Sequence, residues 1–439
     1  HVLRSATMLK GGNGYKSSLD RRKVIAVTRD DDGEPKAGEA SIFLWDPAGE
    51  TGPVPLREQV GPAWYAALTP NNRFIAATET SGQIRVYDAA TSKPVRSFEG
   101  RKYEYQPVFS PDGKLLATNA SDFVIRLYDF ASGRLERELP VATHPGCLAF
   151  SPDGRWLASG HSTAPGKGTQ EPAGDLICLW DTASGQEVRR FATGHYRVES
   201  LTFSPDGRLL ASCGFDGMVC LWEPASGQQR RRYAGHQRWV RCVDFDPDGR
   251  RLASGGLDGT ALVWRVFEPA SAQRSAAELD ALWADLAKDG TTVHRAIAAL
   301  IADKETPGFL KDRLKPARQP PEQQVQRLLA DLGSPVFQTR NAAHKELARA
   351  GELIEPALRR ALQTAPDLEM GRRLVALLES ILRSELPPDQ LRDLRAVEVL
   401  GQHANDEVRG ALTNLAKGAA GSSLTRQARL SLANRQRER

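Results

Sequence analysis

At 439 residues the chain exceeds one compact core of ordinary size, so two or more domains are expected. Hydrophobic residues make up 40% and charged residues 26%, which excludes the disordered, collagen-like and membrane classes, and no run of about 18 uncharged apolar residues occurs. The net charge of +5 comes from 59 basic and 54 acidic side chains that are interleaved, with dense basic clusters only at 230–232 and 435–439, where a solvated face is the expected reading; nucleic acid is not an expected partner.

In chain order, residues 2–9 read as a strand with no neighbour to pair with. From there to Phe267 the dominant signal is self-similarity near 42 residues. The aromatic anchors are Trp45, Tyr87, Tyr128, Trp180, Trp222 and Trp264, separated by 42, 41, 52, 42 and 42 positions. The long interval holds a Gly/Pro-rich insertion at 162–174, expected to be a surface loop. Each unit reads as four short strands, because alternating apolar positions are cut by turn residues too often for helices. In the fifth unit the strands are placed at 198–203, 209–212, 218–222 and 229–233. A Ser-Pro-Asp-Gly turn recurs at 110–113, 151–154 and 204–207, with variants at 69–72 and 246–249. Proline presets one turn dihedral and glycine supplies a positive one.

These units resemble the WD40 repeat family. The residues that carry the resemblance are Leu179-Trp180-Asp181, Leu221-Trp222-Glu223 and the pairs Gly194-His195 and Gly235-His236. The resemblance implies a β-propeller over about 60% of the chain, with a buried tetrad in each regular blade. The matching positions are His195, Ser212, Asp216 and Trp222, then His236, Ser254, Asp258 and Trp264. A buried indole N–H and imidazole need partners, so these residues are expected to hold the fold and not to form a hydrolase triad. Tyr87 and Tyr128 replace tryptophan and Gly174 stands where aspartate is expected, so the earlier blades should rely more on apolar packing. Six repeats are visible. The sixth lacks a fourth strand, and residues 2–9 are expected to supply it by strand exchange; a seventh blade in the intact protein is the alternative.

Beyond residue 268 the period changes to 3.6. Ser275 and Glu278 form a capping box, and Leu279, Leu282, Trp283 and Leu286 fall on one face of a helix expected to end at Gly290. A second helix follows at 293–301, and 318–321 is a polar, Pro-bearing linker. Two stretches, 335–347 continued by 356–362 and 406–415 with Val408-Arg409, resemble HEAT or armadillo repeats, as seen after the propeller in some bacterial WD40 proteins. The expected organisation is a propeller at 1–268, a helical connector at 269–317 and a helical-repeat domain at 318–439, a multidomain chain of all-β then all-α class. The helical array either offers a concave binding side or packs on the propeller as a cap.

No catalytic constellation emerges. Gly160-His161-Ser162-Thr163-Ala164 approaches a nucleophile elbow, but no strand, turn and helix of an α/β sheet surround it. Gly166-Lys167-Gly168-Thr169 fails the spacing of a phosphate loop. Asp30, Asp31 and Asp32 lack EF-hand spacing, and His294, His344 and His403 are single helix residues expected at the surface or boundary. Cys147, Cys178, Cys213, Cys220 and Cys242 contain no C-x-x-C pair and are expected to be reduced packing residues, as in a cytoplasmic protein; because the sequence starts at His1, a preceding signal stays open. Neither metal nor cofactor nor small-molecule substrate is expected.

The resemblance places partner binding on the propeller face. Tyr196, Arg197, Phe215, Arg238, Trp239 and Leu257 match its positions, with Trp64, Tyr65, Tyr103 and Phe123 in the less regular blades. Aromatic and arginine side chains dominate interface energetics. The leading expectation is a non-catalytic scaffold for other proteins or peptides. The second is the regulatory part of a larger signalling or transcription-associated enzyme whose catalytic domain lies upstream of residue 1.

Overall fold

A computed structural model describes residues 12–17, 24–28, 42–45, 54–56, 63–101, 104–162, 176–195, 197–267, 273–365 and 367–437. Six antiparallel meanders follow one another. They are β1 (Gly12–Ser17), β2 (Val24–Thr28), β3 (Ile42–Trp45) and β4 (Val54–Pro55); then β5 (Ala63–Leu68), β6 (Phe74–Glu79), β7 (Gln83–Asp88) and β8 (Pro94–Glu99). The third has β9 (Glu104–Phe109), β10 (Leu115–Ala120), β11 (Val124–Asp129) and β12 (Leu135–Pro140), and the fourth β13 (His144–Phe150), β14 (Trp156–Ser162), β15 (Leu176–Asp181) and β16 (Glu187–Ala192). The fifth has β17 (Val198–Phe203), β18 (Leu210–Gly214), β19 (Met218–Glu223) and β20 (Gln228–Ala234); the sixth has β21 (Val240–Phe245), β22 (Arg251–Gly256) and β23 (Ala261–Arg265). All six aromatic anchors sit on the third strand of their sheet. First strands meet those of the next sheet, β5 on β9, β9 on β13, β13 on β17 and β17 on β21, so the sheets stand as the blades of a propeller.

Among the described residues no blade holds a core of its own. Apolar clusters lie between successive sheets: Ile25, Ile42, Ala66 and Tyr87 between blades 1 and 2, and Val86, Leu116, Tyr128 and Phe130 between blades 2 and 3. One small sheet has too little apolar area to stand alone, so stability comes from neighbour contacts. The Ser-Pro-Asp-Gly turns add to them. A Cβ at Gly113 would meet Pro70 at 3.5 Å, at Gly154 Pro111 at 3.6 Å, at Gly207 Pro152 at 3.3 Å and at Gly249 Pro205 at 3.3 Å. Each turn proline thus lies over the turn glycine of the next blade. The glycines also sit at φ +70 to +73°, so the tetrapeptide serves both its own hairpin and the seam beside it.

The sixth sheet has three strands among the described residues. The expected exchange strand at 2–9, and Glu268 and Pro269, lie outside the described residues. So does the insertion from 163 to 175.

The helical region comprises α1 (Ala276–Asp285), α2 (Gly290–Ala302), α3 (Thr306–Arg313), α4 (Glu322–Leu332), α5 (Phe337–Ala350), α6 (Glu355–Gln363), α7 (Leu368–Arg383), α8 (Pro388–Gln402), α9 (Asp406–Leu415) and α10 (Ser423–Arg437). The Ser275–Glu278 capping box is formed. Gly290, however, does not end α1. The chain leaves α1 at Leu286, and Gly290, at φ +60°, opens α2, where its N–H donates to Gln228 Oε1 of blade 5 at 3.1 Å. Helices α1–α3 share one core with α8–α10, while α4–α7 share theirs with blades 4 and 5. Among the described residues no helix is long and apolar enough to cross a membrane.

Candidate interaction surface

In a four-stranded meander, the turns joining strands one to two and three to four lie at one end, and the remaining connections lie at the other. The helical region covers the first end on blades 4, 5 and 6. Arg155 donates to Glu355 of α6 (2.5 Å), Arg208 to Gln427 and Ser431 of α10 (3.1 and 2.7 Å), and Arg250 to Gln402 of α8 (3.2 Å). From the opposite side, Arg359 of α6 donates to Asp181 (2.8 Å), and Arg395 of α8 donates twice to Glu223 (2.9 and 2.6 Å).

Glu223 is the centre of a buried ionic cluster. Arg230 donates to it and to Glu398 (3.4 Å), Arg395 also donates to the carbonyls of Leu286 and Lys288, and Glu223, Arg230, Arg395 and Glu398 are each at most 4% exposed. Burial disfavours the Glu223 carboxylate, but the charges of Arg230 and Arg395 and the bonds from Arg395 and Ser226 outweigh it and hold its pKa down to about 2. Burial pushes Glu398 up to about 7, with the charges of Asp206 and Glu223 acting in the same direction against the pull of Arg230.

Among the described residues no helix covers the other end of blades 5 and 6, and hydrogen-bond networks shape it. Trp222 Nε1 donates to Ser212 Oγ (2.7 Å), His195 Nε2 lies 2.8 Å from the same oxygen, and His195 Nδ1 lies 2.8 Å from Asp216. Blade 6 repeats this with Trp264 on Ser254 (2.8 Å), His236 Nε2 on Ser254 (2.8 Å) and His236 Nδ1 on Asp258 (3.1 Å). Each serine accepts from an indole and so has its own proton for Nε2, which leaves the ring proton on Nδ1 facing the carboxylate. Burial works against Asp216, yet the bond and charge from His195 bring its pKa below the usual range.

Those carboxylates anchor the turns that carry the candidate residues. Phe215, half-buried, stacks on exposed Trp239 at 3.8 Å with 6° between the rings, and the Arg197 guanidinium lies 5.3 Å from the Phe215 ring. Arg197 is held by Glu199 (2.7 Å), which also binds Arg241 (3.0 Å). Arg238 and Leu257 are exposed beside them, and the Leu257 N–H donates to the Trp239 carbonyl (2.8 Å). The structure therefore brings Arg197, Phe215, Arg238, Trp239 and Leu257 together across blades 5 and 6.

Other expected positions differ. Trp64 and Tyr65 lie within β5 and are half-buried, because the β-bulge near the start of each first strand falls at Ala63/Tyr65 and at Val198/Ser200, which aligns Trp64 with Glu199 instead of Arg197. Phe123 does not precede its turn glycine; it replaces it. Its φ of +62° matches +75° at Gly217 and +76° at Gly259, and its exposed ring meets His144 edge-on at 6.3 Å. Phe123→Gly is expected to raise stability by about 0.5–1 kcal/mol, as relief of left-handed strain exceeds the entropy glycine adds to the unfolded chain. Equilibrium urea unfolding measures it. Tyr103 and Tyr196 lie outside the described residues.

Three further expectations are corrected. His294 is buried, not at the surface, stacked on Phe267 at 5.2 Å, and burial lowers its pKa to about 3. Cys242 is exposed although the other four cysteines are buried. Blade 4, expected to rely on packing, has its own network: Trp180 Nε1 donates to Ser159 (2.8 Å), which lies 2.7 Å from His161 Nε2, while His161 Nδ1 meets the Thr143 carbonyl at 3.2 Å. His161 comes from strand two of the blade, not from a Gly-His pair, so a search for that pair misses it. Burial lowers its pKa to about 4, and as a buried strand residue it belongs to no nucleophile elbow. The loops holding Asp30–Asp32 and Lys167 lie outside the described residues. His403 is half-buried against the Leu300 carbonyl (3.3 Å), and His344 is half-buried on α5. Among the described residues no three His, Cys, Asp or Glu side chains gather at metal-ligand spacing.

Residues 92–129, 139–168, 185–223 and 227–265 match the family model described as WD domain, G-beta repeat. The sheet region carries WD40 repeats. The four matches run from blade 2 into 3, 3 into 4, 4 into 5 and 5 into 6; three of them end with a third strand that bears an anchor, and the pairs Gly194-His195 and Gly235-His236 fall inside the last two. No curated protein matches the chain.

Proposed function

We propose that the protein is a non-catalytic scaffold in which the end of the propeller left open by the helices captures a partner protein or peptide. The observation that supports this reading most is the Phe215–Trp239 stack, exposed at its Trp239 face and flanked by Arg197 and Arg238. Aromatic and arginine side chains on a preformed, hydrogen-bonded base lose little conformational freedom when they bind. WD40 repeats generally mediate such contacts, which agrees with this assignment. In this reading the helical region is an array of the HEAT or armadillo kind that braces blades 4–6.

The Arg238→Ala/Trp239→Ala variant is expected to bind at least ~30-fold more weakly than the parent to a partner recovered by affinity capture, since central interface aromatics and arginines each contribute on the order of 2 kcal/mol. It should still unfold cooperatively with only a small loss of stability, because Arg238 is exposed and Trp239 packs at the surface on Phe215 and not in the core. An unchanged partner list, quantified by mass spectrometry, would refute the assignment.

A further inference from the structure

The helix-covered end of the propeller stops at blade 4, while the recognition pattern used there continues onto blades 2 and 3. In blade 4, Arg155 directly precedes Trp156, which pairs in register with Asp181. Asp181 spends Oδ1 on its own turn, accepting from the Ser184 N–H (2.8 Å) and hydroxyl (2.7 Å), and presents Oδ2 to Arg359 (2.8 Å). Arg155 meets Glu355, and Glu355 and Arg359 stand four residues apart on one face of α6, 2.9 Å from each other. A basic and an acidic residue on the blade are thus read by a glutamate and an arginine on one helix.

Blade 3 repeats the blade side of this arrangement. Lys114 directly precedes Leu115, which pairs with Asp129, and Asp129 likewise uses Oδ1 for the Ser132 N–H (2.7 Å) and hydroxyl (2.6 Å). Blade 2 has Arg73 before Phe74, paired with Asp88, whose Oδ1 accepts from Thr91 (2.9 and 3.0 Å). Lys114 and Arg73 are exposed, and among the described residues no helix packs on either pair. Between blade 3 and the seat of α6 runs a groove of about 590 Å³ bordered by Pro111, Asp112, Glu136, Pro152 and Thr182, and the Thr182 hydroxyl bonds the carbonyl of Arg155 itself (3.0 Å). The open surface is therefore continuous with an interface the chain already forms.

We propose that the turn end of blades 2 and 3 docks an α-helix of a partner protein that carries a glutamate and, four residues later, an arginine on one face. The glutamate meets Lys114 or Arg73 and the arginine meets Asp129 or Asp88, as Glu355 and Arg359 meet Arg155 and Asp181. This surface is at the opposite end of the propeller from Trp239, so it is independent of the function proposed above.

Two stapled, fluorescein-labelled helical peptides of identical composition test it, one with Glu before Arg at a spacing of four and one with the two exchanged. Against the full chain, anisotropy should show the Glu-first peptide binding roughly five-fold tighter, as expected for two partly exposed ion pairs, with the difference shrinking at high salt. The charge exchange Lys114→Glu/Asp129→Lys, or Arg73→Glu/Asp88→Lys should the first fail to fold, is expected to reduce or invert the preference. Arg238→Ala/Trp239→Ala should leave it intact. Failure of either peptide to bind, equal binding of both, or a preference untouched by both exchanges overturns the proposal. So does a concentration-dependent dimer in sedimentation that the exchanges dissociate, because the occupant is then a second copy.

Discussion

Truncating Glu223 to alanine is expected to lower the unfolding free energy by about 3–5 kcal/mol, because it leaves Arg395 and Arg230 charged and buried without their main acceptor. Glu223 lies at the end of β19 and receives both guanidinium groups, one from its own blade and one from α8, so its loss loosens the propeller–helix seam as well as the blade. Asp129 is the internal control. It holds the same strand position in blade 3 but, among the described residues, its side chain bonds only its own turn, and Asp129→Ala should cost much less than Glu223→Ala. Urea unfolding followed by circular dichroism compares the two, and equal losses would contradict the role given to the cluster.

The same cluster sets a pH dependence with two limbs. The folded pKa of Glu223, about 2, lies below its ordinary 4.5, so its contribution is present above pH 4.5 and is lost as pH falls toward 2. For Glu398 the sign reverses. Its folded pKa of about 7 lies above 4.5, so its contribution is full below pH 4.5 and is lost as pH rises through about 7. Stability should therefore peak on the acid side of neutrality, and Glu398→Gln should flatten the limb between 4.5 and 7.

Ser212→Ala is expected to cost about 2–4 kcal/mol despite removing a single oxygen. Ser212 is fully buried, and its hydroxyl joins the Trp222 indole to the His195 imidazole, so its loss strands two polar groups where water cannot reach them. His195 then positions Asp216 less firmly, and the turn bearing Phe215 loosens with it. The variant should weaken partner capture along with stability, and a loss under about 0.5 kcal/mol in denaturant unfolding would contradict the network account.

The periodic part of the architecture was legible in the residues themselves. Six anchors near 42-residue spacing and recurrent Ser-Pro-Asp-Gly turns depend on local hairpin chemistry, and they led to the observed sheets, with the fifth blade's strands within about two residues of their expected bounds. The Ser275–Glu278 box was equally local. What escaped departed from the repeat pattern within single blades. His161 joins Trp180 through Ser159 by a route outside the repeat pattern, and Phe123 occupies a glycine's conformation that its side chain does not advertise.

By itself the sequence determined the repeat, the hairpins and the change from a period of two to 3.6, because each follows from bonds between near neighbours. Only the tertiary structure decided which end of the propeller the helices cover. That choice rests on Arg359 reaching Asp181 across 178 residues and Arg395 reaching Glu223 across 172, and charge pairs at such separations leave no periodic trace. The same packing leaves Trp239 open at one end and Lys114 with Asp129 open at the other, so the surfaces available for recognition are a property of the folded chain.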